Sequence, residues 1–152
     1  MATTTLASVN DMTMRVATVN GSGSASANGL LLKALFRMGI PVCGKNFFPS
    51  FIQVLPTWYE IRATKDAYLC ASGHVDVMVA MNVQTYDKDL ASVRPGGWLI
   101  YDSTWPRSRQ LVRDDVTIIG VPLSQLCNDN FDGARARVLM KNIAYVGVLA
   151  AL

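Results

Sequence analysis

Charge is what this chain has least of. Lys, Arg, Asp and Glu make up 16% of its 152 residues, against 51% hydrophobic, where soluble domains usually carry about 25% charged residues. Faces that resemble a cut core are typical of obligate interfaces, so a surface this poor in charge points to a partner that covers part of it. Histidine occurs once, at His74. Ser-His-Asp and Cys-His catalysis would both depend on that residue, and its place ahead of an apolar run is that of an ordinary loop residue. Cysteine occurs at positions 43, 70 and 127 with no C-x-x-C pair. That argues against a disulfide framework or an internal zinc or iron–sulfur site, and for reduced thiols in a core.

Other absences narrow the class further. The net charge is +3 with no Lys/Arg cluster, which discounts nucleic acid as a partner. No stretch reaches the ~18 apolar residues of a membrane span. The opening "MATTTLASVNDMTM" lacks a basic region followed by an apolar core, so it is not a signal peptide. Residues 1–13 are expected to form a flexible leader, and the cytoplasm is the default location. The length makes a single domain the expectation.

Alternation of strands and helices is what the chain does have. Strands are expected over 14–20, 42–48, 57–64, 75–82, 98–102 and 116–122. The run "VDVMVAMN" is apolar enough to be buried on both faces, and "VTIIGVP" is expected to be a further buried strand. A helix is expected from Ser24 to Met38, with Leu31, Leu35 and Met38 as its apolar stripe and Gly39 as its stop. Shorter helices follow over 86–90 and from Ala134 onward. Lys65-Asp66 marks a hairpin turn into "AYLCAS", which would make the sheet mixed. The fold class is α/β with a largely parallel core. Leu152 falls inside an apolar helix, so a continuation is expected there.

In such a sheet, ligands bind beyond the carboxyl ends of parallel strands. Three expected strands end in polar loops, "NGSGS", "MNVQT" and "YDSTWP", which share one rim if the strands are parallel. The first opens directly into a helix, whose free N–H groups and dipole favour an anion. Asn20, Gly21, Ser22, Gly23 and Ser24 are the candidate cradle; the bland alternative is that a serine simply caps the helix. A dinucleotide site needs G-x-G-x-x-G and an acidic residue about 20 residues later. Here the third glycine position is Ser26, and no Asp or Glu lies between Asp11 and Glu60, whereas Lys33, Arg37 and Lys45 do. A phosphate-rich ligand is favoured over NAD. Lys45 is a candidate rim cation, unless it only snorkels to water; Asn82, Asp102, Ser103 and Thr104 are further rim candidates.

The stretch "GSGSASANGLLLKALFRMGIPVCGKNFFPSFIQVLPTWYEIRA" resembles the γ-type domain of the 2-oxoacid:ferredoxin (acceptor) oxidoreductases, in particular the form fused at the front of the α subunit in 2-oxoglutarate-type enzymes. "VMVAMNVQTYDKDLASVRPGGWLIYDSTWP", "IIGVPLSQLCN" and "KNIAYVGVLAAL" carry the resemblance through residues 14–152. One departure stands out: many γ domains have G-x-G-G-x-G where this chain has Gly21-Ser22-Gly23-Ser24-Ala25-Ser26.

The resemblance implies a three-layer fold with a mixed, mostly parallel sheet, like domain III of pyruvate:ferredoxin oxidoreductase, incomplete here at its C-terminal end. It implies a part of an enzyme that turns a 2-oxoacid and coenzyme A into acyl-CoA, CO2 and reduced ferredoxin. This domain would contact coenzyme A through residues 20–24 and Lys45. Thiamine diphosphate and the iron–sulfur clusters would lie on other domains or subunits. Its partners would be the rest of the α subunit, the β subunit and, through the whole oligomeric enzyme, ferredoxin; alone it would be inactive. Two other readings stay open: a structural docking domain with an empty loop, and a stand-alone NAD-linked reductase.

Overall fold

The computed structural model describes residues 11–47, 56–67, 73–105 and 111–152. Six strands form one sheet: β1 (Asp11–Val19), β2 (Val42–Phe47), β3 (Pro56–Thr64), β4 (Val75–Ala80), β5 (Val93–Asp102) and β6 (Thr117–Val121), in the order β2-β3-β1-β4-β5-β6. Pairings β1–β4, β4–β5 and β5–β6 are parallel, while β3 runs antiparallel to both β1 and β2. β3 alone is reversed, and it is inserted between β1 and β2. This insertion makes the sheet mixed, and the reversed strand lies where the sequence placed the mixed character, just ahead of Lys65. Lys65 and Asp66 do make a turn, but residues 68–72 lie outside the described residues. Asp11–Thr13, assigned to the leader by sequence, belong to β1 and pair with β3.

Among the described residues, four α-helices complete the layers: α1 (Ser24–Arg37), α2 (Tyr86–Ser92), α3 (Leu123–Asn130) and α4 (Ala134–Ala151). Side chains alternate across each strand, so two cores form. On one face Met14, Val16, Ile61, Val79 and Ile100 pack with Leu31 of α1 and Tyr145 of α4. On the other, Ala17, Met78, Ala80 and Leu99 pack with Tyr86 and Leu90 of α2. β4 lies at the centre and every residue in it is buried, as its unbroken apolar run requires. β6, expected to be a buried strand, is at the edge of the sheet described and is only partly covered. The expected α1 stripe also fails at its far end. Leu31 is buried and Leu35 packs partly against the core, but Met38, the residue after the last turn of α1, is 73% exposed. No helix among the described residues is long and apolar enough to cross a membrane.

β5 starts at Val93, earlier than the expected 98, and Pro95-Gly96-Gly97 forms an irregularity inside it. The β4–β5 register slips there, from Val75↔Val93 to Val77↔Trp98. A Cβ on Gly97 would come within 2.9 Å of the backbone oxygens of Arg94 and Asp76, so only glycine fits this kink.

Buried polar groups tie the layers together. The Tyr145 hydroxyl donates to Asn28 Oδ1 at 2.8 Å, joining α4 to α1 in a buried site. Tyr145→Phe would leave that oxygen unsatisfied and should lower unfolding free energy by about 1–3 kcal/mol in urea titration. Asn28→Ala with Tyr145→Phe should cost less than the two single changes summed, because both remove one bond.

Candidate functional site

β1, β4 and β5 are parallel, so the three polar loops do share the rim at their carboxyl ends. β1 ends in a turn closed by Ser22 N–H donating to Val19 O at 3.2 Å. Gly21 and Gly23 take φ values of +86° and +79°, the left-handed region that glycine enters without strain. α1 starts at Ser24 with no side-chain cap and no acidic residue in its first turn. The serine-cap alternative therefore fails: the Ser24 hydroxyl is turned inward to share a 2.9 Å hydrogen bond with Thr18 Oγ1. The first amides of α1 keep their partial positive charge.

Two hollows flank this loop. The first, about 320 Å³, is bordered by Asn20, Gly21, Ser24, Asn28, Asn46 and Tyr59. Its polar side chains are neutral: burial, then the adjacent Cys43 thiol, push the Tyr59 hydroxyl up, which keeps it a donor at neutral pH. The second, about 500 Å³, lies between Gly21–Gly23 and the first turns of α4, with Arg135, Val138 and Leu139 on its far wall. Ser22 also borders it, with its Oγ buried from solvent and without a hydrogen-bond partner among the described residues. α4 clamps the loop from this side. Asn142 Nδ2 donates to Ser22 O at 2.8 Å, and Leu139 Cδ2 sits 2.5 Å from where a Gly23 Cβ would be.

The remaining candidates do not converge on the loop. Lys45 is exposed on β2 with its ammonium 5.0 Å from the Phe47 ring centre. Its neighbour Asn46 lines the first hollow, so strand alternation puts Lys45 on the opposite sheet face. Lys33 and Arg37 are exposed further along α1. Asn82, at the end of β4, accepts from Gln84 N–H at 3.1 Å; its buried Nδ2 has no partner among the described residues. Asp102 accepts from Thr104 N–H and Oγ1 and from Ser124 N–H and Oγ, and Lys141 Nζ lies 3.9 Å away. Ser103 N–H donates to Val121 O. Asp102, Ser103 and Thr104 thus fasten β5 to β6 and to the start of α3. Arg135 was missed by sequence reasoning, since a basic residue in a helix's first turn opposes the dipole. That misfit was the available signal.

Burial alone would raise the Asp102 carboxyl, but the Ser124 and Thr104 donors outweigh it and hold the group below its ordinary value of 3.8. A depressed carboxylate contributes stability that is present above the ordinary value and is lost as pH falls through the folded one. Asp102→Asn should therefore cost about 2 kcal/mol at pH 7. In urea titrations the gap to the unsubstituted protein should shrink as the pH drops below 3.8.

A mixed, mostly parallel sheet with helices on both faces defines an α/β domain, and its glycine turn opens into an uncapped helix. A model of the pyruvate ferredoxin/flavodoxin oxidoreductase family matches residues 13–152, and the chain belongs to that family. The α subunit of 2-oxoacid:ferredoxin oxidoreductase 2 from Aeropyrum pernix is 25% identical over 122 residues, which are 80% of this chain and 18% of that one. The fold matches 2-oxoglutarate:ferredoxin oxidoreductase from Magnetococcus marinus, with 2-oxoglutarate, coenzyme A and succinyl-CoA bound, at a TM-score of 0.74. That match has 21% identity and covers 95% of this chain and 32% of that one. It also matches the γ subunit of a keto/oxoacid ferredoxin oxidoreductase from Geobacter sulfurreducens at 0.73, with 18% identity over 93% of this chain and 76% of that one. This chain thus spans less than a third of the length of the first two relatives.

Proposed function

We propose that this chain is the coenzyme A-contacting and docking part of a cytoplasmic 2-oxoacid:ferredoxin oxidoreductase. The whole enzyme oxidatively decarboxylates a 2-oxoacid, transfers the acyl group to the coenzyme A thiol with loss of the thiol proton, releases CO2 and passes two electrons to ferredoxin. Thiamine diphosphate and the iron–sulfur clusters belong to other domains or subunits, and this chain alone has no turnover. The observation that carries the reading is the Gly–Ser loop itself. The uncapped start of α1 borders one side of it, and Arg135 lines the hollow on the other. Such a pair of anion-favouring surfaces suits the phosphates of coenzyme A. The missing carboxylate between Asp11 and Glu60 leaves a NAD ribose without its usual partner.

Docking has its own support. Leu139 and Ile143 are 42% and 44% exposed on α4, in line with exposed Gly147 and Ala150. Residues 142–152 contain no charge. An uncharged helix face of this kind fits burial against the rest of the enzyme.

Calorimetric titration of coenzyme A into the 152-residue chain and into the complete oxidoreductase tests the ligand. Gly21 is the better site for a repelling charge, since a Cβ there meets nothing within 4 Å and Asp tolerates a left-handed backbone. Gly21→Asp and Arg135→Glu should each weaken coenzyme A binding about tenfold or more, which is ~1.4 kcal/mol or more. Silence with coenzyme A in both preparations would leave only the docking role, and a response to NAD alone would favour the reductase.

A further inference from the structure

Two Asn-Gly pairs occur in the chain, Asn20-Gly21 in the first loop and Asn28-Gly29 inside α1. An asparagine before glycine loses its side-chain amide readily, because no Cβ on the following residue shields the asparagine Cγ from the next backbone nitrogen. The fold treats the two pairs in opposite ways. Asn28 is 2% exposed, and its Oδ1 accepts from the Tyr145 hydroxyl. Gly29 lies within α1, so its N–H is committed to the helical ladder.

Asn20 is half-buried and Gly21 is exposed. Among the described residues, no hydrogen bond reaches the Asn20 side chain or the Gly21 N–H. A Cβ built on Gly21 would meet nothing within 4 Å, so the approach from that residue is clear. The two are the central residues of a turn whose ends are joined by one bond, from Ser22 N–H to Val19 O at 3.2 Å. With Gly21 at φ +86° and Asn20 at negative φ, the turn is of type II. Bringing the Gly21 nitrogen onto Asn20 Cγ requires rotation about Asn20 ψ, which opening of that single bond permits.

We propose that Asn20 is a site of spontaneous deamidation, and that the carboxylate formed there closes the Gly–Ser loop to anions. The Gly21 amide nitrogen gives its proton to water and bonds to Asn20 Cγ; the Cγ–Nδ2 bond breaks and ammonia leaves. Water then opens the five-membered imide at one of its two C–N bonds, leaving a carboxylate on a normal or a side-chain-linked backbone. The net change is carboxamide and water to carboxylate and ammonium, with nothing oxidised or reduced. The new charge falls where the sequence has none, since no Asp or Glu lies between Asp11 and Glu60. Asn20 shares its hollow with Ser24 and Ala25 at the start of α1. A carboxylate there satisfies the positive end of the helix and repels an incoming anion. Its effect on coenzyme A rests on the function proposed above; the modification does not.

The 152-residue chain and the complete oxidoreductase are each held in warm, mildly alkaline buffer and then digested with trypsin. Peptide Val16–Lys33 carries both asparagines, and fragmentation in a mass spectrometer assigns the one-dalton gain to one or the other. The gain should appear about tenfold faster or more at Asn20 than at Asn28, and the two rates should draw level in urea. Asn20→Gln, which would need a larger ring, should remove it. Equal rates in buffer, or no gain at Asn20 where the urea-unfolded chain reacts, would overturn the modification. Asn20→Asp, the normal-backbone product, should weaken coenzyme A binding about tenfold in calorimetry. Without ligand it should raise the thermal midpoint by about 1–3 °C, as a carboxylate at a positive helix end does. Unchanged affinity or an unchanged midpoint would overturn the closing of the loop. If the unsubstituted protein ignores coenzyme A, the function proposed above fails, while the mass gain and the midpoint still decide this proposal.

Discussion

Residue 23 turns through a left-handed φ of +79° against Leu139, which favours glycine there, and much of the site follows from that. Leu139 of α4 occupies the space a Gly23 Cβ would need, which brings α4 against the loop and lets Asn142 hold Ser22 O. One turn further along, Tyr145 reaches Asn28 of α1. The loop is thus clamped on its far side by three residues spaced along one helix face. Its own hydroxyl cap is drawn inward to Thr18. With no side-chain cap, the start of α1 keeps its partial positive charge.

Acids are few, and several of them are spent as internal fasteners. Asp76 is buried in β4, where it accepts from Thr13 N–H at 2.6 Å and pairs with Arg94. Glu60 pairs with Arg15 across β3 and β1. Asp102 collects donors from two loops. Burial pushes the Asp89 carboxyl up, against the pull of its Thr85 and Trp58 bonds and the Arg15 charge. A buried charge is tolerable only when donors replace its water, and each of these carboxylates has such donors. The outer surface is left with correspondingly little charge, which is why apolar residues on α4 and the end of α1 stand exposed.

Local signals in the sequence carried the reading of the first loop, of α1 and of β4. An Asn-Gly turn before a helical pattern and an unbroken apolar run need no knowledge of distant residues. The insertion of reversed β3 between β1 and β2 is a pairing across some 45 positions, as Arg15 with Glu60 shows, and no local pattern encodes it. That one pairing decided the fate of Lys45. Its charge and its nearness in sequence to the loop suggested a shared ligand, but parity along β2 gives the loop side to Asn46 instead. Arg135 reached the loop by the opposite route, over a hundred residues away in sequence and adjacent in space.

The rim therefore divides into two unequal halves. At β5 and β6 the side chains that looked chemically able, Asp102 and Thr104, bond to each other and to Ser124 and Gln125, so their polarity is consumed in holding α3. At β1 the polarity comes mainly from backbone, with neutral side chains around it. Backbone amides do not titrate and cannot move independently of the helix that bears them. An anion held there would be recognised by a fixed field rather than by an adjustable charge. Such a site would hold a phosphate through a fixed field, as the proposed role of positioning coenzyme A requires.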